Sequence, residues 1–143
     1  MILAAQIIAE MKVQSAIDPA FEIQRRIDFI KRSLQDAHCE YLVLGISGGI
    51  DSSLCGRLAQ LACEQLRVET GHNYQFAAVR LPYGSQKDEA DAQRALAFIQ
   101  PDLQFTVNIQ AASDAMHTQV TAALATKLLI PADSKKIDFV KGN

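Results

Sequence analysis

The chain has 143 residues, a length that fits one globular domain with a substantial core. Its 14 Lys and Arg against 16 Asp and Glu give a formal net charge of −2, and the basic residues are scattered along the chain. This argues against a nucleic-acid-binding surface, because binding to a phosphate backbone requires clustered positive charge. We therefore expect a single domain over residues 1–143 and no nucleic-acid partner.

The cysteines and the first residues bear on the cellular setting. Cys39, Cys55 and Cys63 are odd in number and form no CxxC pair, which argues against a disulfide framework and a zinc site and favours a reducing, cytoplasmic compartment. The opening MILAAQIIAEM is apolar, but no basic segment precedes it and it is too short to cross a membrane. It predicts an amphipathic helix, and no membrane partner is expected.

The next elements alternate between helix and strand. Residues 18–36 carry apolar side chains at helical spacing, with Asp18 as N-cap and Pro19 at the first helical position. Residues 41–46 form a continuous apolar run, which is typical of a parallel strand covered on both faces. From Ser52 the apolar positions return to the helical period, which predicts a second long helix.

The same alternation continues to the end of the chain. Residues 75–82, QFAAVRLP, predict a second buried strand, and residues 85–101 predict a helix with Ser85 as candidate N-cap. Residues 103–109, LQFTVNI, predict a third strand, and an Ala-rich helix follows over residues 111–129. Strands that alternate with helices predict an α/β fold with right-handed crossovers and a doubly wound parallel sheet.

The segment SGGID, residues 47–51, is predicted to join the carboxyl end of the first strand to the amino end of a helix, where open α/β sheets bind ligands. Gly48 and Gly49 lack Cβ atoms, so a ligand oxygen can reach the backbone amides. These amides and the dipole of the helix form an anion cradle suited to phosphate. Three serines add hydroxyl donors: Ser47, Ser52 and Ser53.

Asp51 is unexpected in such a cradle, because a carboxylate repels phosphate. It fits if a cation lies between them, and Mg²⁺ typically takes one or two carboxylates plus phosphate oxygens. The alternative is an ordinary turn with Asp51 or Ser52 as helix N-cap. We favour the cradle, because a cap needs no second glycine, no leading serine and no run of hydroxyls. The patterns GxxxxGK[ST] and GxGxxG are both absent, so the residues alone leave the phosphate chemistry open.

The string SGGIDSS after an apolar strand resembles the pyrophosphate-binding loop, SGGxDS, of the N-type ATP pyrophosphatases. Those enzymes cleave ATP between its α and β phosphates to adenylate a substrate. The flanks LVLGISGGIDSSLCGRLAQLA, AAVRLPYGSQKDEADAQRALAFIQPD and DFVKGN resemble bacterial ammonia-dependent NAD synthetase, over nearly the whole chain. This resemblance implies an adenine nucleotide alpha hydrolase-like fold, of which the chain would be the N-terminal half, with about three strands of the sheet.

The resemblance also implies roles for individual residues. Arg80 and Gln86 would contact the adenylate part of ATP, and Phe139 and Asn143 would help bind deamido-NAD. Asp51 would hold a Mg²⁺ ion. The residues that would hold the ATP phosphates are Gly45, Ile46, Ser47, Gly48, Gly49, Ile50, Asp51 and Ser52.

The implied reaction forms a C–N bond, which makes the enzyme a ligase. The carboxylate of deamido-NAD attacks the α-phosphate of ATP and releases pyrophosphate, and ammonia then displaces AMP from the NAD-adenylate to give NAD. This chemistry needs charge neutralisation and positioning rather than a side-chain nucleophile or base, and we identify none. The family resemblance also implies a homodimer.

Two alternatives remain open. Another pyrophosphatase-loop enzyme, such as a tRNA-thiolating or GMP-forming one, is possible, although the thiolating kind should show catalytic cysteines and a basic RNA surface. A non-catalytic fragment that binds ATP or mediates dimerisation would bind ATP without turnover.

Two structural predictions remain. Cys55 and Cys63 are expected to share a helix face and pack in the core. We also expect an exposed apolar sheet edge that promotes association.

Overall fold

The computed structural model describes residues 4–12, 14–84 and 89–128. The order of helices and strands agrees with the order predicted from the sequence. The elements are α1 (Ala4–Glu10), α2 (Pro19–Asp36), β1 (Tyr41–Gly45), α3 (Ile50–Thr70), β2 (Gln75–Arg80), α4 (Glu89–Ile99), β3 (Leu103–Thr106) and α5 (Gln110–Leu128). Within these ranges, none of the helices combines the length and the apolar character that a membrane span requires.

The start of α2 follows the predicted capping pattern. The Asp18 carboxylate accepts hydrogen bonds from the amides of Ala20 at 3.0 Å and Phe21 at 3.3 Å. Pro19 occupies the first helical position, where its missing N–H costs nothing. The N-cap prediction is therefore confirmed.

The three strands form one parallel sheet in the order β1-β2-β3. Gly45 pairs with Val79, and Val79 pairs with Phe105, so the carboxyl ends of the strands meet at one edge. We call this the carboxyl edge and the opposite one the amino edge. The α/β fold with a parallel sheet is confirmed.

One face of the sheet carries the main core. Phe76 and Ala78 of β2 are fully buried, with Leu42 and Leu44 of β1 packed beside them. This cluster also contains buried side chains of α3 and α4, namely Ala59, Cys63, Leu66, Ala95, Leu96 and Ile99. A smaller cluster of Ile27, Leu58 and Ala62 joins α2 to α3. Helices α3 and α4 thus cover the same face.

The opposite face is more open than predicted. Val43 of β1 is 68% exposed and Phe105 of β3 is 51% exposed, so the prediction that β1 is covered on both faces is wrong. The reason is topological. The crossovers from β1 to β2 and from β2 to β3 step in the same direction, and right-handed connections then place both helices on one side. On the other side of β1 and β3 the described residues supply no covering layer.

The cysteine prediction is correct for one residue only. Cys63 is fully buried in the core, whereas Cys55 is exposed. Eight helical residues rotate a side chain by about 80° relative to the first, so the two thiols point in different directions. Burial, aided by the nearby Asp102 charge, raises the pKa of the Cys63 thiol to about 11.

Several boundaries also differ from the predictions. Strand β1 ends at Gly45 and α3 begins at Ile50, so the connecting loop is shorter than expected. Strand β3 ends at Thr106, and α4 ends at Ile99, before the predicted limit. The candidate N-cap Ser85 lies outside the described residues.

Candidate functional site

The carboxyl edge brings together two of the features singled out in the sequence. The amide of Ile46 donates a hydrogen bond to the Val79 carbonyl at 2.8 Å, so the chain stays attached to β2 as it leaves β1. Arg80 is the last residue of β2 and follows Val79 directly. We call the loop from Gly45 to Ser52 the glycine loop. The glycine loop and Arg80 therefore lie at neighbouring strand ends.

Gly48 has two reasons to be glycine. Its φ is +91°, in the left-handed region that other residues rarely adopt. A Cβ atom at this position would also lie 3.0 Å from the Ala92 amide nitrogen and 3.2 Å from the Asp91 carbonyl carbon. The loop thus rests directly on the backbone of α4, which fixes its position relative to α3 and α4.

The N-cap of α3 is Gly49, not Asp51 or Ser52. The helix begins at Ile50, so Asp51 occupies its first turn, and the ordinary-cap interpretation of Asp51 is wrong. Gly49 makes no side-chain cap, and the amides of a first helical turn have no acceptor within the helix. Those amides and the helix dipole favour an anion at this position.

The serine hydroxyls bond within the loop. Ser52 and Ser53 both donate to the Gly49 carbonyl, at 3.1 Å and 2.7 Å. The Ser47 hydroxyl accepts the Gly49 amide at 3.3 Å and lies 3.1 Å from the Ser52 hydroxyl. These hydroxyls therefore shape the loop, a role that the sequence did not indicate because it depends on the backbone path.

Asp51 is exposed at the start of α3. Within the described part of the chain it forms no hydrogen bond or ion pair, and no group of three or more His, Cys, Asp or Glu side chains could hold a metal. A single exposed carboxylate beside an anion cradle fits an ion that takes most of its ligands from phosphate oxygens and water. The donor set is therefore compatible with Mg²⁺ bound together with phosphates.

Arg80 is held by a residue that the sequence analysis did not select. Its side chain is 6% exposed and its Nη1 lies 2.9 Å from a carboxylate oxygen of Glu89 in the first turn of α4. Gln93 donates to the same oxygen at 2.7 Å. The bonds from Gln93 and then Arg80 lower the pKa of the Glu89 carboxyl. No signal in the sequence distinguishes Glu89 from the other acidic residue in the first turn of α4.

Two surface cavities adjoin the start of α3. One, of about 280 Å³, lies between α3 and α4 and is lined by Gly48, Ser53 and Arg94 among others. The other, of about 320 Å³, lies between α2 and α3 and is lined by Asp51 together with apolar side chains such as Phe29. The glycine loop is therefore accessible from both sides of α3.

Three of the predicted site residues, Gln86, Phe139 and Asn143, lie outside the described residues. The structure brings together Arg80 and the loop from Gly45 to Ser52. The ligand-binding roles of all these residues stay predictions.

Comparison with known proteins identifies the family. A family model described as NAD synthase matches residues 22–137, which is most of the chain. The chain belongs to the NAD synthase family. The matched range contains the glycine loop and Arg80 and extends past α5.

Individual relatives agree with this family. The chain is 61% identical over 135 residues to the NH(3)-dependent NAD(+) synthetase of Vibrio parahaemolyticus, covering 94% of this chain and 49% of that protein. It is 57% identical over 139 residues to the enzyme of the same name from Aliivibrio fischeri, covering 96% and 50%. The chain thus spans about half the length of the curated relatives that it matches.

A solved structure of the family has the same fold. The NAD+ synthetase from Burkholderia pseudomallei superposes with a TM-score of 0.73 at 48% sequence identity. The match covers 90% of this chain and 45% of that one. The parallel sheet described above therefore matches part of the fold of that structure.

Proposed function

We propose that this chain takes part in the synthesis of NAD from deamido-NAD and ammonia, and that it supplies the ATP-binding loop for this reaction. The observation that carries the proposal is the glycine loop at the carboxyl edge, which lies beside Arg80 and opens onto the uncapped first turn of α3. The names of the family and of the close relatives support the substrate class.

The reaction divides into two steps. In the first, a carboxylate oxygen of deamido-NAD bonds to the α-phosphorus of ATP while the bond from that phosphorus to the bridging oxygen breaks, and pyrophosphate leaves with the electron pair. In the second, ammonia bonds to the carbonyl carbon of the NAD-adenylate and AMP leaves with the electron pair of the broken C–O bond. The nitrogen loses a proton to solvent, which leaves the amide of NAD.

The residues of this chain act on the charge that develops in the first step. The amides at the start of α3 and the helix dipole stabilise the leaving pyrophosphate, and they do so without reorganisation because Gly48 is fixed against α4. The Arg80 guanidinium is oriented by Glu89 at the same edge and would bind the adenylate part of ATP, with Gln86. A Mg²⁺ ion held by Asp51 would neutralise phosphate charge.

The proposal also covers the second substrate, the cellular compartment and the partner. Phe139 and Asn143 would bind deamido-NAD, as the resemblance implies. We place the protein in the cytoplasm, because its three cysteines are odd in number, form no CxxC pair and suggest no disulfide framework. The partner would be a second copy of the chain in a two-fold dimer, and the molar mass measured by light scattering would test this.

The decisive experiment incubates the purified chain with ATP, Mg²⁺, deamido-NAD and ammonium and measures AMP and NAD. Formation of both products in equal amounts is expected. ATP binding without AMP formation would support the second candidate, a chain that binds ATP without turnover. Absence of ATP binding, measured by calorimetry, would contradict both.

A further inference from the structure

The chain that follows β2 stays bonded to the chain that follows β3. Beyond the last strand pair, the Val107 amide donates to the Arg80 carbonyl at 2.8 Å. The Ile109 amide then donates to the Pro82 carbonyl at 2.9 Å. Two short bonds in succession fix the direction in which the chain leaves Arg80.

The Asn108 side chain fixes the same turn from a second direction. Its Oδ1 accepts the Gln110 amide at 2.9 Å, in the first turn of α5, and the Gly84 amide at 3.3 Å. Gly84 has a φ of +68°, which this turn requires. One side-chain oxygen thus ties the start of α5 to the turn after Arg80.

A third attachment comes from Tyr83. Its hydroxyl donates to the Asp114 carboxylate of α5, a residue 31 positions further along the chain. A charged acceptor strengthens such a bond relative to a neutral one. The bond joins the turn to the body of α5.

Helix α4 contacts both parts of the candidate site. Glu89 of α4 binds Arg80, and the backbone at Ala92 supports Gly48. Residues 81–84 follow Arg80 directly, so the bonds that fix them also fix the backbone of Arg80, whose side chain is bound by α4. Binding is strengthened when such groups are held in place before the ligand arrives.

We propose that Tyr83, Asn108 and Asp114 are positioning residues for ATP, which hold the turn after Arg80 in the arrangement that binds the nucleotide. This inference rests on the proposed function, because it assumes that the carboxyl edge binds ATP. It assigns to the first turns of α5 a task in that site, although α5 contributes no residue to the glycine loop.

The test measures the dissociation constant of MgATP by calorimetry at a temperature at which circular dichroism shows every variant fully folded. Tyr83→Phe removes only the hydroxyl and is expected to raise the dissociation constant by about threefold to tenfold. Asp114→Ala should also weaken binding, and the effects of the two substitutions should be less than additive in the double variant, because both remove the Tyr83–Asp114 bond. Tyr41→Phe, the same change at the amino edge, is the control and should bind normally.

Rescue separates positioning from a general loss of structure. Asp114→Asn keeps an oxygen acceptor for the Tyr83 hydroxyl and should bind MgATP nearly as well as the unsubstituted chain. Equal affinity of Tyr83→Phe and the unsubstituted chain would overturn the inference, as would an Asp114→Asn variant as weak as Asp114→Ala. Absence of MgATP binding by the unsubstituted chain would overturn the proposed function itself, and the positioning role with it.

Discussion

The two edges of the sheet each contain an arginine paired with a carboxylate, but their polar groups are used differently. At the amino edge Arg67 binds Asp102, and the groups around this pair bind one another. At the carboxyl edge Arg80 binds Glu89, while Asp51 is exposed and the first turn of α3 has no side-chain cap. One sheet thus carries a stabilising network at its amino edge and the candidate binding site at its carboxyl edge.

The amino-edge network centres on Asp102. One of its carboxylate oxygens accepts from Arg67 at 2.9 Å and from the Phe76 amide at 3.0 Å, and the other accepts from Gln60 at 3.0 Å. Gln60 in turn accepts the Asp102 amide. Burial alone would raise the pKa of the Asp102 carboxyl, but these bonds outweigh it and lower the pKa. The network joins α3, β2 and the start of β3.

The largest expected effect comes from removing the centre of this network. Asp102→Ala leaves the Phe76 amide without its acceptor and breaks the bonds from Arg67 and Gln60, although Gln60 keeps Glu64 as a second acceptor. We expect the free energy of unfolding in urea to fall by about 2–3 kcal/mol. Asp28→Ala, which removes an exposed carboxylate of α2, should cost less than about 0.5 kcal/mol. Equal losses in the two variants would contradict the difference between a network and a surface contact.

The next effect concerns the glycine loop at the carboxyl edge. Gly48→Ala introduces a Cβ against the α4 backbone and should weaken MgATP binding by about tenfold or more, measured by calorimetry. Gly71→Ala is the matched control, because Gly71 also has a positive φ, of +73°, but a Cβ there meets no atom within 4 Å. Gly71→Ala should lower the free energy of unfolding by about 1 kcal/mol and leave the dissociation constant of MgATP unchanged. Equal MgATP affinity of the two variants would contradict a role in binding for the contact between Gly48 and α4.

A smaller effect is expected from Asp51. Asp51→Asn keeps the shape of the side chain but removes its charge, and MgATP binding should weaken by about threefold to tenfold. Without Mg²⁺ the same variant should bind ATP as well as or better than the unsubstituted chain, because the repulsion between carboxylate and phosphate is gone. Glu40→Gln, at the amino edge, should change neither measurement. Unchanged MgATP affinity in Asp51→Asn would contradict a metal-binding role.

The smallest perturbation compares the chemical reactivity of two thiols that lie along α3. This helix runs from the carboxyl edge, where Cys55 is exposed, toward the amino edge, where Cys63 is buried. In a Cys39→Ser background a thiol reagent should modify Cys55 in the folded protein. Cys63 should react only after unfolding, because it is buried and its pKa is raised to about 11. Rapid modification of both thiols in the native protein would show that the reagent reaches the core around Cys63, at the amino-edge end of α3.

The order of the elements could be predicted because it depends on local patterns. The helical spacing of apolar residues, the Asp18 cap and the alternation of strands with helices are all visible in neighbouring residues. The loop could be located for the same reason, since its glycines and Asp51 are adjacent in the sequence.

The remaining features depend on residues that are far apart in the chain. Gln60 and Asp102 are 42 residues apart, and Tyr83 and Asp114 are 31 apart, so no local pattern announces either contact. The exposure of Val43 depends on which side of the sheet the crossovers place their helices, not on the apolar run itself. Such features follow from the assembled fold.

The Gly49 carbonyl illustrates how the loop controls its own polarity. Its oxygen accepts three donors, the Ser53 amide and the hydroxyls of Ser52 and Ser53. These three donors compensate the partial negative charge of this carbonyl oxygen at the start of α3. The serines therefore lower the negative potential that an anion would meet beside the first-turn amides of α3.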